Sequence, residues 1–461
     1  MIIIVGAGIT GLSAAFELST RGLPFQVFEA SPRAGGLIRT DRIDGFVVDA
    51  GPESVLAQKP AALELCEALG LTSRLISTTP PRTAFVLKHG RLHPLPSPSV
   101  LGVPTTIGGI AGYELLSRVA RARLAMEFVV PRRRQGGDES IGSFFRRRFG
   151  DETVGLVAEP LLGGIHAGDI EALSMHSLFP RFVDAEARSG SVLRAFGQAA
   201  PSPAAGDGLF RTLAGGMGEL VDAIERRLPG GSIRYESAVA QLLKNSTGTG
   251  RRWQVRTAID SVAADAVILA SPAHVAGEIL RTVDGEAAGL CAQVPYASTA
   301  SVALAWPRDA VRHPLRGSGF VVARRYNAAR ITACTWVSSK WTGRAPAGWV
   351  LLRAFIGGAH DPGAVDLGDA AMVDTVVRDL SPLLGIVGPP RMSSVARWRR
   401  AGAQHTVGHL ERVGAIDARL AAHGGLFVAG SGFRAIGIPD CIAEGRAAAA
   451  RAAQWITMGV S

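Results

Sequence analysis

The chain has 461 residues, 47% of them hydrophobic and 56 of them glycine, with a formal net charge of +10. It is too apolar for a disordered polypeptide and too long for one core, so roughly two to three α/β units are expected. A basic balance admits nucleic acid, an anionic membrane surface or an acidic ligand, but no zinc-finger, helix-turn-helix or RNP-like pattern occurs, and nucleic acid is set aside.

Residues 2–5 read Ile-Ile-Ile-Val, a buried strand. Gly6-Ala7-Gly8-Ile9-Thr10-Gly11 follows, a glycine turn opening a helix expected over 11–21. Gly6 suits a tight turn, Gly8 lets the backbone approach a pyrophosphate, and Gly11 lets helix and strand pack closely. The free N–H groups of the helix start face the phosphates. Glu29 ends a second apolar strand (25–29), 18 residues after Gly11, a reach that suits a ribose 2′-OH and argues against NADP. The first strand begins at residue 2, read as leaving no room for a leader.

Residues 45–48 form a short strand leading into Asp49-Ala50-Gly51-Pro52-Glu53-Ser54. Spacing predicts a helix over 60–69 with Gly70 as its stop, then a hairpin of 84–87 and 91–93. Residues 97–200 change to helical segments. One, expected over 115–130, carries Arg118, Arg121 and Arg123, and basic runs 132–134 and 146–148 follow. They read either as a solvated face or as a surface meeting anionic lipid. The α/β pattern returns with a helix opened by residues 215–218 and strands at 232–235, 238–243, 253–257 and 266–270. Strands at 300–305, 319–323 and 350–356 suggest a mostly antiparallel sheet over 295–415. A last strand (425–430) and an Ala-rich helix (439–456) close the chain.

This order predicts an α/β architecture: a discontinuous Rossmann-like FAD-binding domain, a substrate domain with a mixed or antiparallel sheet, and a helical insertion. The expected boundaries are 1–80, 206–290 and 420–461 for the first, 81–96 and 291–419 for the second, and 97–205 for the insertion. Glycine-rich helix starts at both ends can converge on one long cofactor; NAD would need only the first, so FAD is preferred. The four cysteines, Cys66, Cys291, Cys334 and Cys441, form no CxxC pair, so no metal site is expected, and buried thiols in a reducing cytoplasm fit. There is no uninterrupted apolar run of about 20 residues to span a membrane. No G-x-S-x-G elbow, H-E-x-x-H or nucleophilic Cys setting occurs. His166, His274, His405 and His409 are read as structural histidines, with His166 also placed to flank a substrate.

Several segments resemble the flavin monoamine-oxidase-like superfamily and, more closely, the oxygen-dependent protoporphyrinogen/coproporphyrinogen III oxidases. They are Gly6–Gly11 with Glu29, then Ser31-Pro32-Arg33-Ala34-Gly35-Gly36; the run 45–54; Glu159-Pro160-Leu161-Leu162-Gly163-Gly164-Ile165-His166-Ala167-Gly168-Asp169; Gly343-Arg344-Ala345-Pro346 with Phe355-Ile356-Gly357-Gly358; the run 404–409 near Trp398; and Ala429-Gly430 with Ile436-Gly437-Ile438-Pro439-Asp440-Cys441-Ile442. Together they span nearly the whole chain. Asp49 stands where the family has Glu, and Ala403-Gln404-His405 where it has Pro-Gln-Tyr. An arginine that clamps a substrate propionate in mitochondrial-type enzymes falls at Ala84, with Arg82 two residues before.

The resemblance implies an FAD site. In it, Gly6, Ala7, Gly8, Ile9, Thr10 and Gly11 wrap the pyrophosphate, and Glu29 and Ala30 hold the ribose. Gly36 with Gly51, Pro52, Glu53 and Ser54 lines the ribityl and ring side, Val239 meets adenine, and Trp398, Ile436, Gly437 and Ile438 face the flavin. Trp398 as a core aromatic and Val239 as a plain strand residue remain alternatives. The implied reaction is a six-electron oxidation of coproporphyrinogen III or protoporphyrinogen IX with O2 as acceptor and H2O2 as product. Gly-Ile-Pro-Asp-Cys favours the former substrate. A bridge methylene between electron-rich pyrroles yields hydride readily, so no catalytic protein base is expected. Arg82, Lys88, Gly164, His166 and Arg353 are the substrate-side candidates, with Arg82, Lys88 and Arg353 read alternatively as surface or structural charges. Peripheral membrane contact, a homodimer and a ferrochelatase partner stay open, as do an amine oxidase or carotenoid desaturase and a non-catalytic relative of GDP-dissociation inhibitors.

Overall fold

The computed structural model describes residues 1–133, 136–198, 208–245 and 252–458. Arg134 and the expected boundary at 206 lie outside the described residues.

The apolar strand Ile2–Val5 is buried along its whole length. Such a strand needs cover on both faces, as a parallel sheet provides. It lies at the centre of a five-stranded parallel sheet ordered Ile233–Arg234, Phe25–Phe28, Ile2–Val5, Ala266–Leu269 and Leu426–Val428. The sheet draws strands from three distant stretches of chain. Helix Ile9–Thr20 packs on it beside the long closing helix Ile438–Met458. Small residues bring these two helices together: a Cβ on Gly445 would stand 2.2 Å from Thr10 O. The strands Val239–Lys244, Trp253–Thr257 and Ser261–Ala264 form a separate antiparallel sheet.

The second large sheet has seven strands: Met392–Ala403, Tyr296–Pro307, Trp349–Gly357, Ala333–Thr335, Gly319–Val322, Ala84–Lys88 and Arg91–Pro94. Its pairs are antiparallel except Gly319–Val322 with Ala84–Lys88.

The helical segment contains Arg118–Ala125, Ile141–Phe149, Pro180–Ser189 and Val192–Gln198, packed on Phe144, Phe145, Phe149, Phe182 and Phe196. The helix expected over 115–130 is shorter. Ser117 Oγ accepts from Ala120 N–H and fixes the start there, and Met126–Val129 tightens to a 3₁₀ turn. Val154–Gly163 is a π-helix containing Pro160, whose missing N–H removes one regular helical bond. No helix among the described residues is long and apolar enough to cross a membrane.

Candidate functional site

The glycine turn after Ile2–Val5 has three distinct geometries. Gly6 has φ +103°, and a Cβ there would stand 2.9 Å from Ala270 O. A Cβ on Gly11 would lie 1.9 Å from Gly6 O, so only glycine lets the helix sit this close. At Gly8 a Cβ would meet nothing within 4 Å. Among the described residues, no acceptor bonds the N–H groups of Gly8, Thr10 or Gly11. Unpaired donors at a helix start, beside open space, form a cradle for a pyrophosphate.

Glu29 closes this cradle. Its Oε2 accepts from Ala7 N–H at 2.7 Å, and its Oε1 accepts from Ser31 N–H at 2.9 Å and Ser31 Oγ at 2.7 Å. Ala30 is exposed beside it. Ser237 N–H donates to Glu29 O at 2.8 Å, which brings Val239, two residues on, to the same end of the sheet. Gly35 N–H donates to Ala7 O at 2.8 Å, and a Cβ on Gly36 would stand 3.2 Å from Gly8 Cα, so the two glycine loops touch. Arg33, which carried no assigned role in the sequence reading, clamps the second loop. Its guanidinium donates to Ala34 O, Gly36 O and Ile38 O at 2.7–3.1 Å. The available signal was its position, two residues before the double glycine. We expect Glu29→Ala to weaken FAD retention by about 10- to 100-fold, the worth of a charge-assisted hydrogen bond or two, with substrate KM nearly unchanged. Equilibrium dialysis of FAD measures this, and unchanged flavin occupancy would refute the ribose role.

The third loop follows strand Phe46–Asp49. Gly51 is buried, and a Cβ there would lie 1.8 Å from Leu37 O and 3.5 Å from Trp398 Cζ2. Trp398 is half-buried on strand Met392–Ala403, and its Nε1 donates to Ala50 O at 3.0 Å. Pro52 is exposed and Ser54 half-buried. Glu53 turns inward: Lys340 Nζ lies 2.6 Å and Arg353 Nη1 3.3 Å from its carboxylate. Burial works to raise this carboxyl, but Lys340 and Arg353 outweigh it and hold it at about 2. Asp49 beneath accepts from Thr40 Oγ1 at 2.5 Å and Met217 N–H at 2.9 Å, and pairs with Arg344 at 3.1 Å.

The chain's other end arrives opposite the first turn. Gly430 has φ +115°, and a Cβ there would stand 3.3 Å from Thr10 Oγ1. Ile436 is half-buried against the core of the helical segment, and Ile438 begins the closing helix. Gly437 N–H donates to Asp440, whose carboxylate is held by Lys59 at 2.6 Å. His405 and His409 are stacked at 3.8 Å and spend their rings on this region: His405 bonds Ser177 Oγ and Ser431 O, and His409 bonds Phe433 O.

The substrate-side candidates do not gather at one place. Arg353, read as a partner for a substrate carboxylate or as a structural charge, is buried, with Nη2 donating to Gly51 O at 2.6 Å. Lys88, expected likewise, donates to Leu115 O at 3.0 Å and lies over the Tyr326 ring. Arg82 is exposed and donates to Thr78 O and Thr78 Oγ1. Gly164 is exposed at the head of the turn Gly164–His166. His166 is partly exposed, edge-on to Phe179, and no group among the described residues bonds its ring nitrogens. Burial, then the nearby His405, push its imidazole down to about 4, so it is neutral at pH 7. Its carbonyl accepts from Gln404 Nε2 at 2.9 Å. A Cβ on Gly358 would lie 2.7 Å from Ala167 O, which joins this turn to strand Trp349–Gly357.

The residues present therefore fit a long dinucleotide: free helix-start N–H groups and open space at Gly8 for its phosphates, a carboxylate for its ribose, and a glycine loop beside a tryptophan further on. Comparison with known proteins agrees. The family model described as flavin-containing amine oxidoreductase matches residues 9–453. The coproporphyrinogen III oxidase of Bacillus subtilis (strain 168) is 37% identical, covering 99% of this chain and 98% of its own. That of Propionibacterium freudenreichii subsp. freudenreichii is 34% identical over 96% and 89%. A crystal structure from Exiguobacterium sp. 255-15, provisionally named a protoporphyrinogen oxidase, superposes with TM-score 0.87 at 30% identity over 99% and 98%. By its glycine cradle and by these full-length matches, the chain belongs to the flavin-containing amine oxidoreductases, among the coproporphyrinogen III oxidases, and its cofactor is FAD.

Proposed function

We propose that the chain is an FAD-dependent porphyrinogen oxidase that converts coproporphyrinogen III to the porphyrin with O2 as acceptor and H2O2 as product. The single observation that carries the reading is the cradle of unpaired N–H groups at Gly8, Thr10 and Gly11, closed by Glu29 and faced by Gly430, in a chain 37% identical to a coproporphyrinogen III oxidase along its length. Bound FAD supplies a two-electron acceptor. The protein's share is to hold it and to present an apolar slot. Gly6–Gly11 and Glu29 bind the nucleotide end. The loop from Gly51 to Ser54, with Trp398 and Ile436–Ile438, is assigned to the ring. The neutral His166 turn, with Gly164 and the exposed Ile165, is assigned to the substrate side. Arg82, exposed and donating to Thr78, stays a candidate for a propionate.

The test is direct. Purified protein should be yellow, and under air it should generate porphyrin fluorescence and peroxide, with a higher kcat/KM on coproporphyrinogen III than on protoporphyrinogen IX. Amine turnover without porphyrin formation would move the chain to the amine oxidases. A colourless protein that refuses FAD would make it a binding module. The oxidised macrocycle is the form that accepts a metal, so the reaction that consumes the product is metal insertion, and a ferrochelatase belongs to the proposal as partner. A homodimer also belongs to it, to be read by sedimentation.

Peripheral membrane contact is the remaining part. Ile107, Val119, Met126 and Val129 are 56–80% exposed on the helical segment, next to the exposed Arg118. Most of the neighbouring arginines are otherwise engaged. Arg121 bonds Ala111 O, Arg123 bonds Arg147 O and Arg148 O, and Arg146, Arg147 and Arg148 all pair with carboxylates. Among the described residues, the broad basic face expected over 118–148 thus shrinks to an apolar patch with the exposed Arg118 and Arg132 at its edge. We expect Val119→Asp with Met126→Asp to abolish co-sedimentation with phosphatidylglycerol vesicles and leave porphyrinogen oxidation in detergent unchanged. Vesicle binding that survives both changes removes this patch from the account.

A further inference from the structure

The peptide between Ala50 and Gly51 is bonded at one end and bare at the other. Ala50 O accepts from Trp398 Nε1 at 3.0 Å and from Ser301 Oγ at 2.8 Å. The next carbonyl, Gly51 O, accepts from Arg353 Nη2 at 2.6 Å. Between them, the N–H of Gly51 has no acceptor among the described residues, although Gly51 is buried. Buried N–H groups without a partner are rare because leaving them unpaired is costly, so this one calls for an acceptor from outside the chain.

The surroundings strengthen and aim it. Two donors on one carbonyl polarise that peptide and make the N–H at its far side a better donor. Ser301 is 5% exposed and is a lone hydroxyl in the run Ala300-Ser301-Val302-Ala303-Leu304, so its side chain has little other use. Arg353 is fixed in turn by Glu53, and Glu53 by Lys340 and Trp341 Nε1. Beside them lies a small cavity, lined by Asp49, Glu53, Trp341, Leu351 and Arg353, with room for about one water. A side chain at residue 51 is excluded, since its Cβ would overlap Leu37 O.

We infer that the Gly51 N–H donates to an acceptor atom on the FAD ring system, and that Ser301 and Arg353 are positioning residues that set the strength and direction of that bond. The inference rests on the reading above that this loop faces the ring. It makes Arg353 a support for the cofactor rather than a partner of the substrate.

The test uses the holoenzyme and reads the flavin itself. Ser301→Ala removes one donor from Ala50 O without changing bulk. It should bind FAD at full stoichiometry, shift the visible absorption bands, lower the flavin midpoint potential, and cut kcat about tenfold with KM unchanged. Ser301→Thr keeps the hydroxyl and should restore the parent spectrum. Arg353→Met should weaken FAD binding by about tenfold or more, and Arg353→Lys should recover part of it. Parent spectrum and potential in Ser301→Ala would overturn the inference and leave the porphyrinogen reading standing. Conversely, a protein inactive on porphyrinogens whose flavin bands still move in Ser301→Ala would overturn the substrate and keep the inference.

Discussion

Gly11→Ala is expected to give a colourless protein that melts well below the parent, whereas Gly8→Ala should melt as the FAD-free parent does and still fail to hold FAD. The two glycines sit three residues apart in one turn and differ in what surrounds them. A Cβ at residue 11 would stand 1.9 Å from Gly6 O and 3.3 Å from Ile4 Cγ2. The nearer atom is backbone, so no rotamer relieves the clash, and helix Ile9–Thr20 must lift from strand Ile2–Val5. That opens the core built on Ile2, Ile4, Leu12 and Leu18. Overpacking of this kind costs about 1–3 kcal/mol at least, or several degrees in Tm for a chain of this size. A Cβ at residue 8 meets no protein atom within 4 Å. No protein atom opposes it, and it stands in the same turn as the unpaired N–H groups, so the loss is expected to fall on the ligand. A 100-fold rise in the FAD Kd, about 2.7 kcal/mol, is the expected scale. Calorimetry of both apo-proteins and flavin titration of both variants separate the cases. If Gly8→Ala keeps the parent affinity, the phosphates lie elsewhere; if Gly11→Ala melts with the parent, the close approach of helix and strand is not a constraint.

The contrast explains which parts were legible from the residues alone. The turn at Gly6–Gly11 and the reach of Glu29 are local matters of backbone space and chain length, and they read directly from spacing. So did the parallel sheet, because four consecutive apolar β-branched residues require cover on both faces. Ser301, Lys340 and Arg344 were illegible for the opposite reason. They act on Ala50, Glu53 and Asp49, some 250–300 positions away in the chain, and nothing in their local patterns says what they will meet. The partner of Arg353 was illegible for a related reason. An arginine in an apolar strand looks like a hand held out to a carboxylate, and it is one, but the carboxylate is Glu53 of the same chain. The run Arg146-Arg147-Arg148 misled most. Its charge density suggested a surface, yet the acids that neutralise it come from four separate segments of the chain.

Arg148 carries the second large prediction: Glu127→Gln or Arg148→Met should each destabilise the helical segment by about 3–5 kcal/mol, and the double variant by clearly less than the sum. Both side chains are fully buried. Glu127 accepts from Arg148 Nη2, from Ser191 Oγ at 2.5 Å, and from the N–H groups of Val192 and Leu193 at 2.8 and 3.2 Å. It therefore stands at the start of helix Val192–Gln198, where a negative charge is favourable. Arg148 donates besides to Val130 O and Gly190 O at 3.0 Å, tying together the ends of three helical pieces. Removing Arg148 leaves Glu127 buried without a counter-ion, and removing the Glu127 charge leaves Arg148 only Glu186, at 3.4 Å, which is the larger part of the cost. Removing both takes that penalty away and leaves only the lost backbone bonds. The network lies within the helical core, while the nucleotide cradle belongs to the parallel sheet. Hydrogen exchange in either single variant should therefore quicken over residues 127–198 while Ile2–Val5 and Ala266–Leu269 stay protected and the protein stays yellow. Strictly additive losses would mean the two charges do not depend on each other. Equal loss of protection in both regions would mean that the helical segment and the FAD-binding sheet unfold as one unit, and with that the separation of a cofactor grip from a substrate-side wall would go.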